Sequence, residues 1–288
     1  MSILSGVVLV LLVVVGTTIV LNGSGHPRAR RSTAPAPTTS RAELPVTSTT
    51  TAVATTSTTL PALPPVVDHG PRDRPLLALT FDSNLTVAMI HELDTGAVRS
   101  FYDPAVVDEL DAMQVPATLF LAGLWMERYP DATRRLAGDP LFELGSHSYS
   151  HRAFRLPCYG LGGLPIEAMS RDVQQSFEVL RRFTDHPTSY FRFPGGCYDQ
   201  AALRAIAPTG VTVIQYDLPS GDAFGTSVPA IVHETVDRAQ NGSVIVMHLT
   251  GGNTAPLTDK ALPAIVSGLR ARGFQLVRVS ELLTSPNG

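Results

Sequence analysis

Two histidines four residues apart, His147 and His151, follow a short apolar run that ends at Leu144. Imidazole is a common ligand for divalent cations, and four-residue spacing brings two rings to one face where the chain turns helically at a strand end. Such a pair is half of a hydrolytic metal centre, which takes three protein ligands and keeps a position for water. Other polar residues stand at the ends of apolar runs in the same way: Asp82 after Leu79-Thr80-Phe81, Arg192 before Phe193-Pro194-Gly195-Gly196, and His248 after Val244 to Met247. A metal, a carboxylate and a histidine together supply what hydrolysis needs: an activated water, an electrophile and an acid for the leaving group. Each residue also has an ordinary reading. Asp82 is in place to cap a helix over Asn84 to Leu93, His248 to be a hydrogen-bonded core histidine, and Arg192 to be half of a surface ion pair.

These residues need a scaffold, and from about Arg72 onward the chain alternates short β-branched and apolar runs with longer amphipathic stretches, a βα rhythm. The runs predict strands at Leu76 to Phe81, Ala117 to Leu121, Leu141 to Gly145, Ser189 to Phe193, Val211 to Tyr216, Val244 to His248 and Phe274 to Val279. Three- and four-residue apolar spacings predict helices at Asp103 to Met113, Gly123 to Ala137, Ile166 to Phe183, Gln200 to Ile206, Val228 to Gln240 and Thr258 to Arg272. Near-continuous apolar strands separated by helices imply an α/β fold with a mostly parallel sheet covered on both faces. The number of units favours a distorted or incomplete (β/α) barrel of the TIM type over an open doubly wound sheet. In that barrel Asp82, His147, Arg192, Asp217 and His248 all fall at or just past the C-terminal ends of strands, the rim where active sites gather.

The rest of the chain bounds the setting. Its 288 residues are 44% apolar with a formal charge of −3, and the basic residues cluster only at Arg28, Arg30 and Arg31, which excludes a nucleic-acid footprint. Ile3 to Leu21 is uncharged and long enough to span a bilayer, so residues 1–24 read as a membrane anchor or export signal. The arginines after it argue for a cytoplasmic C-terminal side. The Thr/Ser/Pro-rich segment that follows argues the opposite, as a stalk outside the membrane, and it outweighs them. Residues 25–72 are therefore a linker and 73–288 the folded domain, placed extracytoplasmically, anchored or secreted. Cys158 and Cys197 leave open a disulfide or two separate thiols.

Taken in order, Thr80-Phe81-Asp82, His147-x-x-x-His151, Arg192-Phe193-Pro194-Gly195-Gly196, Ser220-Gly221-Asp222 and Val246-Met247-His248 resemble the motifs of the polysaccharide deacetylases, carbohydrate esterase family 4 with the NodB homology domain. The resemblance runs from about Leu76 to Leu283. It implies a distorted (β/α) barrel that removes acetyl groups from N-acetylated sugars with one divalent metal, zinc, or alternatively cobalt, nickel or manganese. By similarity Asp82 is the general base and His248 the acid. Asp222 then holds the His248 ring and raises its pKa, Arg192 pairs with Asp82, and His147 and His151 bind the metal. Pro194, Gly195, Tyr149 and Phe224 flank these motifs as candidates for contact with substrate.

The chain departs from the family at Ser83, where a second aspartate usually completes the metal site. Three substitutes are open: Asp82 itself, the amide oxygen of Asn84, or a water held by Ser83, with Asp82 near the metal and Ser83 behind it preferred. At Ala223 the family often carries tryptophan, and Phe224 is placed to cover that side. The sequon Asn84-Leu85-Thr86 reads as coincidental, because a glycan there would block the rim. The expected function is N-deacetylation of a cell-envelope glycan, peptidoglycan or chito-oligosaccharide-like, by a protein tied to the membrane through its N-terminal segment. The alternatives are a catalytically silent glycan-binding module on the same fold, or an O-acetyl esterase.

Overall fold

The computed structural model describes residues 61–284. The expected anchor (1–24) and residues 25–60 of the expected linker lie outside the described residues. Within the range read as linker, residues 66 and 67 form a strand that pairs into the sheet. Among the described residues no helix is long and apolar enough to cross a membrane.

The strands are β1 (Val66–Val67), β2 (Leu76–Ser83), β3 (Ala117–Leu121), β4 (Phe142–Ser146), β5 (Tyr190–Phe191), β6 (Thr212–Ile214), β7 (Leu218–Pro219), β8 (Val244–His248) and β9 (Gln275–Leu276). The helices are α1 (Val87–Asp94), α2 (Pro104–Ala112), α3 (Gly123–Arg128), α4 (Pro130–Gly138), α5 (Ile166–Leu180), α6 (Gln200–Ile206), α7 (Val228–Arg238), α8 (Thr258–Ala271) and α9 (Val279–Leu283). The strands pair in the order β1-β6-β5-β4-β3-β2-β8-β7, with β9 added to β2, and every pairing is parallel. β1 and β7 end the order without pairing to each other, so the sheet curls as an incomplete (β/α) barrel, as the sequence predicts.

β2 shows how the chain is divided between two cores. Leu77, Leu79 and Phe81 enter the large cluster with residues of α2, α3, α5 and α8, whereas Ala78 enters a smaller one with Phe120, Ile214 and Val244 that α9 closes with Val279 and Leu282. Period-two alternation then puts Thr80 and Asp82 on the face of Ala78. The helices start where local chemistry requires: Asp103, Asp199 and Ser227 accept backbone N–H groups at the starts of α2, α6 and α7. The helix expected over Gly123 to Ala137 is two helices, because Pro130 cannot continue the first and instead opens the second. Asp82 caps nothing, since the helix after it begins later, with the hydroxyl of Thr86 accepting from Met89 N–H.

Candidate active site

Parallel register brings the C-terminal ends of four strands together. Asp82 at the end of β2 is level with His248 at the end of β8, and Ser146, just before His147, is level with Phe191, just before Arg192. A cleft of about 250 Å³ opens there, and Asp82, Asn84, His147, His151, Asp222 and His248 line it.

Arg192 is fully buried and all its directions are engaged. It donates to Asp82 Oδ1 (2.8 Å), to Thr80 Oγ1 (2.7 Å) and to the carbonyls of Ile214 (3.1 Å) and Gln215 (3.0 Å), with its guanidinium 4.0 Å from the Phe120 ring centre. A surface ion pair is thereby excluded. A fixed guanidinium fork orients the carboxylate it holds. The second oxygen of Asp82 faces His147, Oδ2 lying 3.5 Å from Nε2.

Across the cleft, His248 Nδ1 lies 2.9 Å from Asp222 Oδ1, and the His248 backbone N–H donates to Oδ2 (2.8 Å). Ser220 and Thr258 hydroxyls complete the shell of that carboxylate at 3.0 and 2.7 Å. Burial alone would raise the Asp222 carboxyl, but the charge and hydrogen bond of His248, with the Thr258 and Ser220 hydroxyls, hold it below the ordinary value. Burial likewise works against protonated His248, and the charge and hydrogen bond of Asp222 overcome it and raise the imidazole above its ordinary value. The pair thus favours a carboxylate beside a protonated imidazole, and Nδ1 being engaged leaves Nε2 of His248 to serve the cleft.

The histidine loop differs from the expected helical turn. Ser148 and His151 both adopt left-handed backbone conformations, with φ of 67° and 51°, so the loop is a compact knot. The Ser148 hydroxyl accepts from His151 N–H (3.0 Å), and Asp172 on α5 accepts from Tyr149 N–H (2.8 Å) and from the Ser150 hydroxyl (2.6 Å). The carbonyls of Ser148 and Tyr149 in turn accept from Gly123 and Leu124 N–H at the start of α3. Asp172 organises this loop from a helix interior, where nothing in its local sequence marks it. The two rings nevertheless meet, with centres 5.0 Å apart.

Two imidazoles line the cleft with nitrogens that could serve as ligands. His147 Nδ1 is tied to the Arg192 carbonyl at 3.0 Å, which leaves Nε2 as the free nitrogen, and His151 has a buried Nδ1 without a partner. Burial lowers His147 below the ordinary imidazole value and His151 well below it, so both rings are neutral, the form that ligates. No three His, Cys, Asp or Glu side chains among the described residues are grouped to hold an ion. Asn84 lines the cleft, and its Oδ1 is buried without a partner. Ser83 does not serve. It is fully buried, its hydroxyl accepts from Ala122 N–H (3.2 Å), and it does not line the cleft.

Other expected residues divide. Gly195 and Phe224 line the cleft, but Pro194 is buried behind it and Tyr149 points away, its hydroxyl donating to Glu127 (2.9 Å). Asp217 is not at the rim. It accepts from Val244 N–H, at the opposite end of β8, and from Arg72, because the chain has already run back down the barrel after β6. Cys158 and Cys197 form a disulfide. Tyr159 and Tyr216, which no motif singles out, also line the cleft.

The polysaccharide deacetylase family model matches residues 69–214, a range that holds Asp82, the histidine pair and Arg192. The chain belongs to the polysaccharide deacetylase family. An uncharacterized protein of Streptomyces coelicolor is 32% identical over 220 residues, covering 74% of this chain and 77% of that one. A peptidoglycan-N-acetylglucosamine deacetylase of Bacillus cereus is 24% identical over 213 residues, covering 74% and 70%. Among solved structures, a peptidoglycan N-acetylglucosamine deacetylase bound to a benzamide ligand superposes with TM-score 0.63 at 24% identity, covering 76% of this chain and 94% of that one. A CE4 family pseudoenzyme from Bacillus anthracis superposes with TM-score 0.61 at 18% identity, covering 77% and 69%. Both share the fold of this polysaccharide deacetylase. The named deacetylases are hydrolases of carbon–nitrogen bonds outside peptides, the reaction class of the family.

Proposed function

We propose that this chain removes N-acetyl groups from an N-acetylated glycan of the cell envelope, peptidoglycan or a chito-oligosaccharide-like polymer. The observation that carries the reading is the pairing of two differently poised groups across one cleft: Asp82 held by Arg192, and His248 held by Asp222. Asp82 takes the proton of the attacking water, and its free Oδ2 is the oxygen that receives it. His248, protonated at Nε2, gives that proton to the amine nitrogen as the carbon–nitrogen bond breaks, so that acetate and a free amine leave. Asp222 keeps the Nδ1 proton of His248 in place throughout.

One divalent metal ion, for which zinc suits the histidine ligands, would be held by His147, His151 and the Asn84 amide oxygen, with Asp82 beside it. Its chemistry there is to polarise the acyl carbonyl and acidify the water. We further propose an extracytoplasmic location, tethered by residues 1–24. The disulfide supports it, because such bonds persist in oxidising compartments.

The test measures acetate release from acetylated chito-oligosaccharides and peptidoglycan fragments, with O-acetylated glycans alongside, and zinc binding by calorimetry. Asp82→Asn and His248→Ala are expected to lose at least about a hundredfold in rate. His147→Ala and Asn84→Ala are expected to weaken zinc binding, the first more than the second. Full turnover in Asp82→Asn would refute the mechanism. The absent carboxylate at position 83 favours one second reading, a silent glycan-binding module, which is expected to bind these glycans and release no acetate.

A further inference from the structure

Among the described residues only two aromatic side chains are exposed, Tyr159 (69%) and Phe224 (72%). Both line the cleft, they come from different loops, and their ring centres lie 5.4 Å apart at an interplanar angle of 36°. Apolar rings left in water cost free energy unless something covers them, and here they are not scattered but paired beside the polar floor. Their neighbours on the walls are apolar too: Leu161, Pro219 and Ala223.

The rings are also held in place. Cys158, adjacent to Tyr159, is buried and bonded to Cys197, which follows the Gly195-Gly196 turn, and Leu161 N–H donates to the Cys158 carbonyl at 2.8 Å. A Cβ built on Gly195, whose φ is +62°, would lie 2.7 Å from Cys158 Sγ and 3.1 Å from the Tyr159 ring. The bare glycine therefore admits Tyr159 to the cleft wall. In the other loop Phe224 N–H donates to Gly221 in a tight turn two residues past Asp222. An exposed ring whose loop is already fixed loses little freedom on binding.

We infer that Tyr159 and Phe224 form a sugar-ring subsite in the cleft, which takes a pyranose next to the residue being deacetylated. A pyranose presents a face of C–H groups with its hydroxyls at the edge, and an aromatic face is electron-rich, so the two stack while the hydroxyls stay in water. The subsite rests on the deacetylase reading for its substrate class, and its function is to favour chains over single sugars.

The test compares the full chain with Tyr159→Ala, Phe224→Ala and Tyr159→Phe on N-acetylated chito-oligosaccharides of one to four residues, by calorimetric binding and by acetate release. Loss of either ring is expected to raise Kd and KM for the tetramer about tenfold with kcat little changed, and to leave the monosaccharide unaffected. Tyr159→Phe keeps the ring and is expected to behave as the unaltered chain. A spectroscopic arm guards against misfolding: Trp125 is the only tryptophan and is buried, so the emission of Tyr159→Trp reports the rim, and it is expected to shift to the blue with the tetramer. Binding decides the subsite whether or not acetate is released, since turnover tests the deacetylase reading alone. Equal tetramer affinity in the unaltered chain and both alanine variants, or an unmoved Tyr159→Trp emission on saturation, would overturn the proposal.

Discussion

Replacing Arg192 by methionine separates the cost of losing an interaction from the cost of stranding its partner. Methionine keeps most of the buried volume, so little cavity forms. What disappears is the cation that holds Asp82 at 2.8 Å, together with donors to Thr80 and to the Ile214 and Gln215 carbonyls and the stack on Phe120. Removing one member of a buried ion pair typically costs about 3–5 kcal/mol, most of it because the other charge is left without a partner. For a domain of this size that corresponds to a fall in Tm of roughly 6–20 °C. The double variant Arg192→Met with Asp82→Asn carries no stranded charge and is expected to recover about 2 kcal/mol. Urea unfolding followed by circular dichroism measures both. A single variant that loses less than about 1 kcal/mol, or a double variant no more stable than the single, would refute the reasoning.

Two further predictions concern the cleft walls and the acid. The Cys158–Cys197 bond spans 39 residues, so the Cys158→Ser, Cys197→Ser variant is expected to lose about 4 kcal/mol, seen as a fall in Tm of roughly 8–16 °C. Differential scanning calorimetry checks it, and an unchanged Tm would show the bond to be idle. The His248 imidazole is raised, so the stability it contributes is complete below pH 6.5 and is lost as pH rises through its folded value. The Asp222 carboxyl is lowered, so its contribution is complete above pH 3.8 and is lost as pH falls through its folded value. Asp222→Asn is expected to move the basic limb of the pH–rate profile toward lower pH, and an unmoved limb would count against the pair.

The scaffold was legible because its strands are buried on both faces and its helices carry one apolar stripe. Ala117 to Leu121 and Val244 to His248 are strands at the predicted bounds. Two-residue strands such as β1 and β7 have too little pattern to be seen, and β1 hides behind Pro64 and Pro65 at the end of a low-complexity stretch. At the site, Asp82, Arg192 and His248 were readable because they stand at the ends of apolar runs, and Asp222 through the resemblance of its motif. Asp217 also follows an apolar run and was misplaced, since composition does not tell how many residues the chain spends turning back. Asp172 and Tyr159 carry no local signal, because they reach the site through tertiary packing, from a helix interior and a disulfide-bound loop, whereas Asn84 was readable beside the missing aspartate.

The start of α3 is tied to the histidine loop by the Ser148 and Tyr149 carbonyls, and α3 carries Trp125 into the main core. The two rings therefore stand on the bedrock of the domain. Their positions are set by folding itself, so this wall of the cleft is prearranged and does not have to be assembled when something binds there.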